Sequence, residues 1–110
     1  MINELLLTME LLYFSGEKYK PFLVDNTYIG KENIIMASYD FDRNGKPDIY
    51  AAFKVTKRLS NDLFITNEYA SAVFIDKNED GNAEKILMDK DGDGSLETLL
   101  LPKKNDMKSI

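Results

Sequence analysis

From Tyr28 onward the chain alternates short apolar runs with polar turn clusters. Ile34 to Tyr39, Asp48 to Val55, Leu63 to Thr66 and Ala70 to Ile75 are rich in β-branched and aromatic residues. Two shorter runs follow, Glu84 to Met88 and Leu96 to Leu101. Runs of this length, bounded by Gly, Asn and Asp, predict strands. Their connections are too short for the crossovers that parallel strands need. The expectation is therefore a mainly β fold, a small antiparallel meander or sandwich of about six strands. Pro102 stops the last strand, and residues 103–110 form a flexible polar tail.

The first segment carries two patterns at once. Ile2, Leu5, Leu6, Met9, Leu12 and Tyr13 make a helical stripe, while Leu5, Leu7, Met9, Leu11 and Tyr13 alternate as a strand would. Leu, Met and Glu favour helix slightly, and Gly16 fits either a helix end or a hairpin turn. Helix and strand both stand open for residues 2–14. In either case the apolar positions read as core rather than as a docking surface.

Length and composition narrow the class. A chain of 110 residues accommodates one modest core, so residues 1–102 are read as a single domain. The formal net charge of −5 disfavours nucleic acid and anionic membrane surfaces as partners. With no cysteine and no histidine, the chain lacks disulfides, thiolate and imidazole ligands, and the commonest general base. Glu4 and Glu10 interrupt the apolar N-terminus, which also lacks a basic start, so it reads neither as a secretion signal nor as a membrane span. That absence does not place the protein in the cytoplasm.

The most informative feature is a nine-residue pattern that occurs three times. Asp40-Phe41-Asp42-Arg43-Asn44-Gly45-Lys46-Pro47-Asp48 aligns with Asp76-Lys77-Asn78-Glu79-Asp80-Gly81-Asn82-Ala83-Glu84 and with Asp89-Lys90-Asp91-Gly92-Asp93-Gly94-Ser95-Leu96-Glu97. All three fit Asp-x-[Asp/Asn]-x-[Asp/Asn]-Gly-x-x-[Asp/Glu]. A hard cation takes about six to eight oxygens, and alternate side chains of a tightly curled loop point at one centre. Positions 1, 3 and 5 supply Asp40, Asp42 and Asn44; Asp76, Asn78 and Asp80; and Asp89, Asp91 and Asp93. Glycine at position 6 permits the sharp turn that lets the position 7 carbonyl of Lys46, Asn82 or Ser95 face the ion. Asp48, Glu84 and Glu97 close the loops at position 9, directly or through a water.

The pattern points to calcium as the cofactor. Magnesium demands a stricter octahedron, and an all-oxygen set argues against zinc and copper. Helix-flanked EF-hands place a bidentate Glu at position 12, where this chain has Ala51, Leu87 and Leu100. The loops are therefore expected in strand-loop-strand hairpins. Taken singly, Asn44-Gly45, Asp80-Gly81 and Asp93-Gly94 are also ordinary hairpin dipeptides with solvated acids.

The stretch from Tyr39 to Ile49 resembles the calcium loop of FG-GAP and VCBS repeats, found in integrin-like propellers and bacterial surface proteins. The pair at Asp76 and Asp89 is similar to the aspartate-rich repeats of secreted bacterial and thrombospondin-type proteins. The resemblance covers roughly a third of the chain and implies the calcium ligands. The Phe-Gly and Gly-Ala-Pro elements of the first family are missing, and one short domain does not supply the blades of a propeller.

The resulting expectation is a non-enzymatic, calcium-stabilised binding or structural module of the extracellular space or cell envelope, with a protein or carbohydrate surface ligand as partner. A second reading is an intracellular calcium-responsive regulator or inhibitor of a partner protein. A remote third follows from Ile34-Ile35-Met36 ahead of Asp40-Phe41-Asp42, which resembles the strand-end Asp-x-Asp of haloacid-dehalogenase-like phosphatases. There Asp40 would be nucleophile, Asp42 acid/base and magnesium the cofactor. Tyr19, Tyr28, Tyr50 and Tyr69 read as strand packing or as a ligand face.

Overall fold

The structure, a computed structural model, describes residues 13–100. A short 3₁₀ turn, Lys20–Phe22, leads into seven strands: β1 Leu23–Ile29, β2 Ile34–Tyr39, β3 Ile49–Arg58, β4 Phe64–Thr66, β5 Ala72–Ile75, β6 Lys85–Met88 and β7 Thr98–Leu100. Six of them form one open antiparallel sheet in the order β1-β2-β3-β5-β6-β7, and β4 pairs with the far half of β3. The architecture is the meander of the expected pair.

The long strand β3 organises the sheet. Its first half pairs with β5, from Ile49 opposite Ile75 to Ala52 opposite Ala72, and its second half pairs with β4. Between β4 and β5 the chain stays tied to β3, with Asn67 N donating to Lys54 O at 2.9 Å and Ser71 N to Ala52 O at 2.8 Å. The segment entering from Tyr13 seals this interruption. Ala70 N donates to Phe14 O at 2.8 Å, and Ser15 bridges Tyr69.

Strand alternation sets which residues are inside. On β3, Ile49, Ala51, Phe53 and Val55 are buried while Lys54 and Thr56 are exposed. Ala37 and Tyr39 of β2, Val73 and Ile75 of β5 and Leu87 of β6 join the same cluster. Phe14, Tyr19 and Phe41 from outside the sheet cover it. Phe14 stacks on Tyr19 at 4.6 Å between ring centroids and meets Tyr39 edge-on at 5.2 Å.

Sequence pattern located six of the seven strands and missed β1. Val24, Asp25, Asn26 and Thr27 are all exposed, so this edge strand buries no alternating face and leaves no periodic signal. Backbone pairing to β2, with an irregularity between Leu23 and Asp25, is what makes it a strand. β3 also runs three residues past the expected Val55, to Arg58, because its pairing with β4 extends through Lys57 and Arg58. The double pattern of residues 2–12 and the tail at 103–110 lie outside the described residues. Tyr13 sits in a turn and Phe14 in the core.

Candidate metal centre

Each acidic loop is the connection between two adjacent antiparallel strands: Asp40–Asp48 joins β2 to β3, Asp76–Glu84 joins β5 to β6, and Asp89–Glu97 joins β6 to β7. Register puts the first two at one end of the sheet, since Tyr39 faces Ile49 and Ile49 faces Ile75. The third lies at the opposite end, beyond Met88 and Ala72. The first two loops touch. Asp76 N donates to Asp48 O at 2.8 Å, and Asn44 Nδ2 donates to Glu79 Oε1 at 2.8 Å.

The loops share one internal wiring. The first Asp accepts from the amide of the sixth residue: Gly45 N to Asp40 Oδ2 at 2.8 Å, Gly81 N to Asp76 Oδ2 at 2.9 Å, and Gly94 N to Asp89 Oδ2 at 2.9 Å. The fifth side chain accepts from the seventh amide, Lys46 N to Asn44 at 3.0 Å, Asn82 N to Asp80 at 2.9 Å and Ser95 N to Asp93 at 2.8 Å. The sixth glycines have φ of 92°, 88° and 89°, the left-handed region that side chains rarely adopt. The fourth residues are also left-handed, with φ of 57° at Arg43, 58° at Glu79 and 76° at Gly92. Only the third loop has glycine there, so it alone curls without a side chain in that strained region.

The loops diverge where their acids point. In the third, Asp89, Asp91, Asp93 and Glu97 bring four carboxylate oxygens within 4.8 Å of one another, the one such group among the described residues. Asp89 is half-buried and the other three are exposed. A hydrogen bond with Asp91 pushes the Glu97 carboxyl up to about 7 and holds Asp91 below the usual carboxylate range. The negative charges of Asp91, Asp93 and Asp89 add to the rise of Glu97. This set could hold a metal ion.

The second loop spends its last acid on backbone. Glu84 Oε2 accepts from Lys77 N at 2.8 Å and Oε1 from Asn78 N at 3.0 Å. In the first, Asp48 Oδ1 accepts from Phe41 N at 2.9 Å. Burial pushes the Asp48 carboxyl up to about 6 against that hydrogen bond, and neighbouring Asp42 adds to the shift. Asp40, Asp48 and Asp76 are 9%, 5% and 2% exposed. Glu79 completes this end: Asn44 holds Oε1, while Oε2 is buried without a partner among the described residues. Tyr50 registers the same charge, its phenol raised by burial first and then by Asp76, Asp48 and Glu79. Sequence reasoning passed over Glu79, because the fourth place of the motif is a free position and its contact comes from another loop.

The raised carboxyls carry a pH dependence. Folding lifts Asp48 from 3.8 to about 6 and Glu97 from 4.5 to about 7, so the native state binds protons the unfolded chain does not. Their contribution is complete below the unfolded values and is lost as pH rises through the folded ones. The melting temperature of chelator-treated protein is expected to fall between pH 5 and 8 on this account. Scanning calorimetry across that range checks it, and a melting temperature that rises with pH would contradict the assignment.

Compared with protein-family models, with curated proteins and with solved structures, the chain gives no match. The resemblance to calcium-loop repeats therefore rests on the loop residues alone.

Proposed function

We propose that the protein is a non-enzymatic module that binds calcium in its acidic loops, first of all in Asp89–Glu97. The observation that carries this reading is the convergence of four carboxylate oxygens within 4.8 Å, a crowding of like charge that a cation would neutralise. Flexible, acid-rich, all-oxygen loops suit calcium better than magnesium. Three buried carboxylates support further sites at the other end of the sheet, where Asp40, Asp42, Asn44 and Asp48, and Asp76, Asn78, Asp80 and Glu84, supply the donors. Burial of charge is costly, and a bound cation relieves it.

The mechanism is neutralisation. Each loop joins neighbouring strands, so an ion that holds its acids together pins a hairpin of the sheet. The setting proposed is the extracellular space or cell envelope, where weak sites with dissociation constants of roughly 10⁻⁴ to 10⁻³ M are filled. A regulator inside the cell would need affinities of roughly 10⁻⁷ to 10⁻⁵ M. The phosphatase-like reading has less support, since both oxygens of Asp40 already accept backbone amides, from Asn44 and Gly45.

Isothermal calorimetry of chelator-treated protein with calcium, and with magnesium as control, tests the proposal. Binding in the weaker range is expected, and the paired change Asp91→Asn with Glu97→Gln removes one event while the fold persists. Absence of heat, or an isotherm unchanged by those substitutions, would sink it.

A further inference from the structure

A second site lies on the core side of the sheet, built from residues outside the acidic loops. There an open cleft of about 650 Å³ has Ile35, Tyr39 and Phe53 in its floor. Asn26 and Tyr28 of β1 line one side, and Phe64, Thr66 and Asn67, on and just after β4, line the other. Tyr28 and Phe64 stack at 4.6 Å across the intervening strands, and the Arg58 guanidinium lies 5.3 Å over the Phe64 ring.

A phenol stands at the base of the cleft. Tyr39 is 2% exposed, yet its hydroxyl has no hydrogen-bond partner among the described residues. Gly16, also in the lining, leaves the space above it free: a Cβ there would come 3.6 Å from the hydroxyl and 3.4 Å from Phe53 Cζ. Glu79 Oε2 is the one buried side-chain polar atom without a partner among the described residues, so the Tyr39 hydroxyl opens onto the cleft, where a ligand can take the place of water.

The remaining polar groups indicate what that something is. The side-chain amides of Asn26, Asn61 and Asn67 line the cleft and make no hydrogen bond among the described residues. Each offers donors and an acceptor together. Glu17, Asp62 and Glu68 stand exposed in the lining against the single ammonium of Lys20, so anions are repelled. These carboxylates are open to water and screened, whereas the less exposed lining groups, Ser15, Tyr28, Tyr39 and Thr66, are uncharged. Apolar and aromatic walls combined with neutral donor-acceptor groups suit a ligand with an apolar face and a fringe of hydroxyls.

We infer that this cleft binds a neutral polyhydroxylated ligand of the sugar class, with the Tyr39 hydroxyl bonding it at depth and the Asn26, Asn61 and Asn67 amides at the rim. The site is independent of the calcium reading, because none of its lining residues belongs to an acidic loop.

Amide correlation spectra of isotope-labelled protein test it, recorded with millimolar cellobiose, maltose, lactose or chitobiose, and with a sialylated sugar and a lysine-rich peptide as controls. At least one neutral sugar is expected to shift the Gly16, Phe53 and Asn67 amides. Tyr39→Phe keeps the ring packing and is expected to weaken binding roughly threefold to tenfold; Asn67→Ala, at an exposed position, gives an independent reading. Asp91→Asn should leave sugar binding unchanged, which separates failure here from failure of the calcium proposal. No shift with any neutral sugar, binding equal to wild type in both cleft variants, or binding of the peptide or the sialylated sugar alone would overturn the assignment.

Discussion

Chelator-treated protein is expected to melt about 10 to 20 °C higher when calcium is supplied at one hundred times the dissociation constant of a single loop. A ligand that binds only the native state at that excess adds about 2.7 kcal/mol. For a domain of this size each kcal/mol moves the melting temperature by roughly 4 to 8 °C. Two features of the fold make the native state the better binder. The third loop gathers four carboxylates that an unfolded chain would separate, and the first two loops hold buried acids, Asp48 beside Asp42 among them, whose charge a cation would neutralise. Contact between the first two loops, through Asp76 N to Asp48 O and Asn44 to Glu79, makes ordering of one favourable to the other. Magnesium at equal concentration should give a smaller rise, since it gives up its waters reluctantly. Differential scanning calorimetry reads the result directly. A melting temperature indifferent to calcium would leave three acidic hairpin turns and nothing more.

How far the sequence carried the fold depended on what each segment buries. Ile34 to Tyr39 was legible to the residue, because β2 sits inside the sheet and its apolar content marks it out. β1 was not, because its exposed Val24 to Thr27 give up nothing to the core and are held by backbone bonds alone. Leu63 to Thr66 and Ala70 to Ile75 were legible as two runs, but their sharing of β3 was hidden: the gap between them is filled by Phe14 and Ser15 at Tyr69 and Ala70, a contact between distant parts of the chain.

The loops show the same division. The six-position glycines and the leading Asp residues announced a curled turn, and all three adopt one wiring. Pattern alone did not reveal that Glu84 would turn onto the Lys77 and Asn78 amides while Glu97 closed on Asp91. The motif ranks the positions alike, whereas side-chain direction is settled by neighbours the motif leaves free. Glycine at position 92, in place of Arg43 or Glu79, is one such neighbour and is visible in the sequence.

Phe14→Ala is expected to cost about 3 to 5 kcal/mol, the range for deleting a buried aromatic ring. Phe14 is fully buried and its ring lies 4.6 Å from Tyr19, 5.2 Å from Tyr39 and 6.3 Å from Phe53. Neither a strand nor a helix holds it, so its position depends on those rings and on its carbonyl accepting the Ala70 amide. Losing the ring opens a cavity under the sheet and loosens the segment that seals the break between β4 and β5. Against a total stability of about 5 to 15 kcal/mol the loss is a large fraction, and the melting temperature should drop by more than about 10 °C. Tyr13→Ala, one residue earlier and 57% exposed, should change stability by about 0.5 kcal/mol or less. Urea unfolding of the two variants in excess calcium separates them. If both proved equally mild, the entering segment would not be part of the core, and the seal at Ala70 would owe nothing to Phe14.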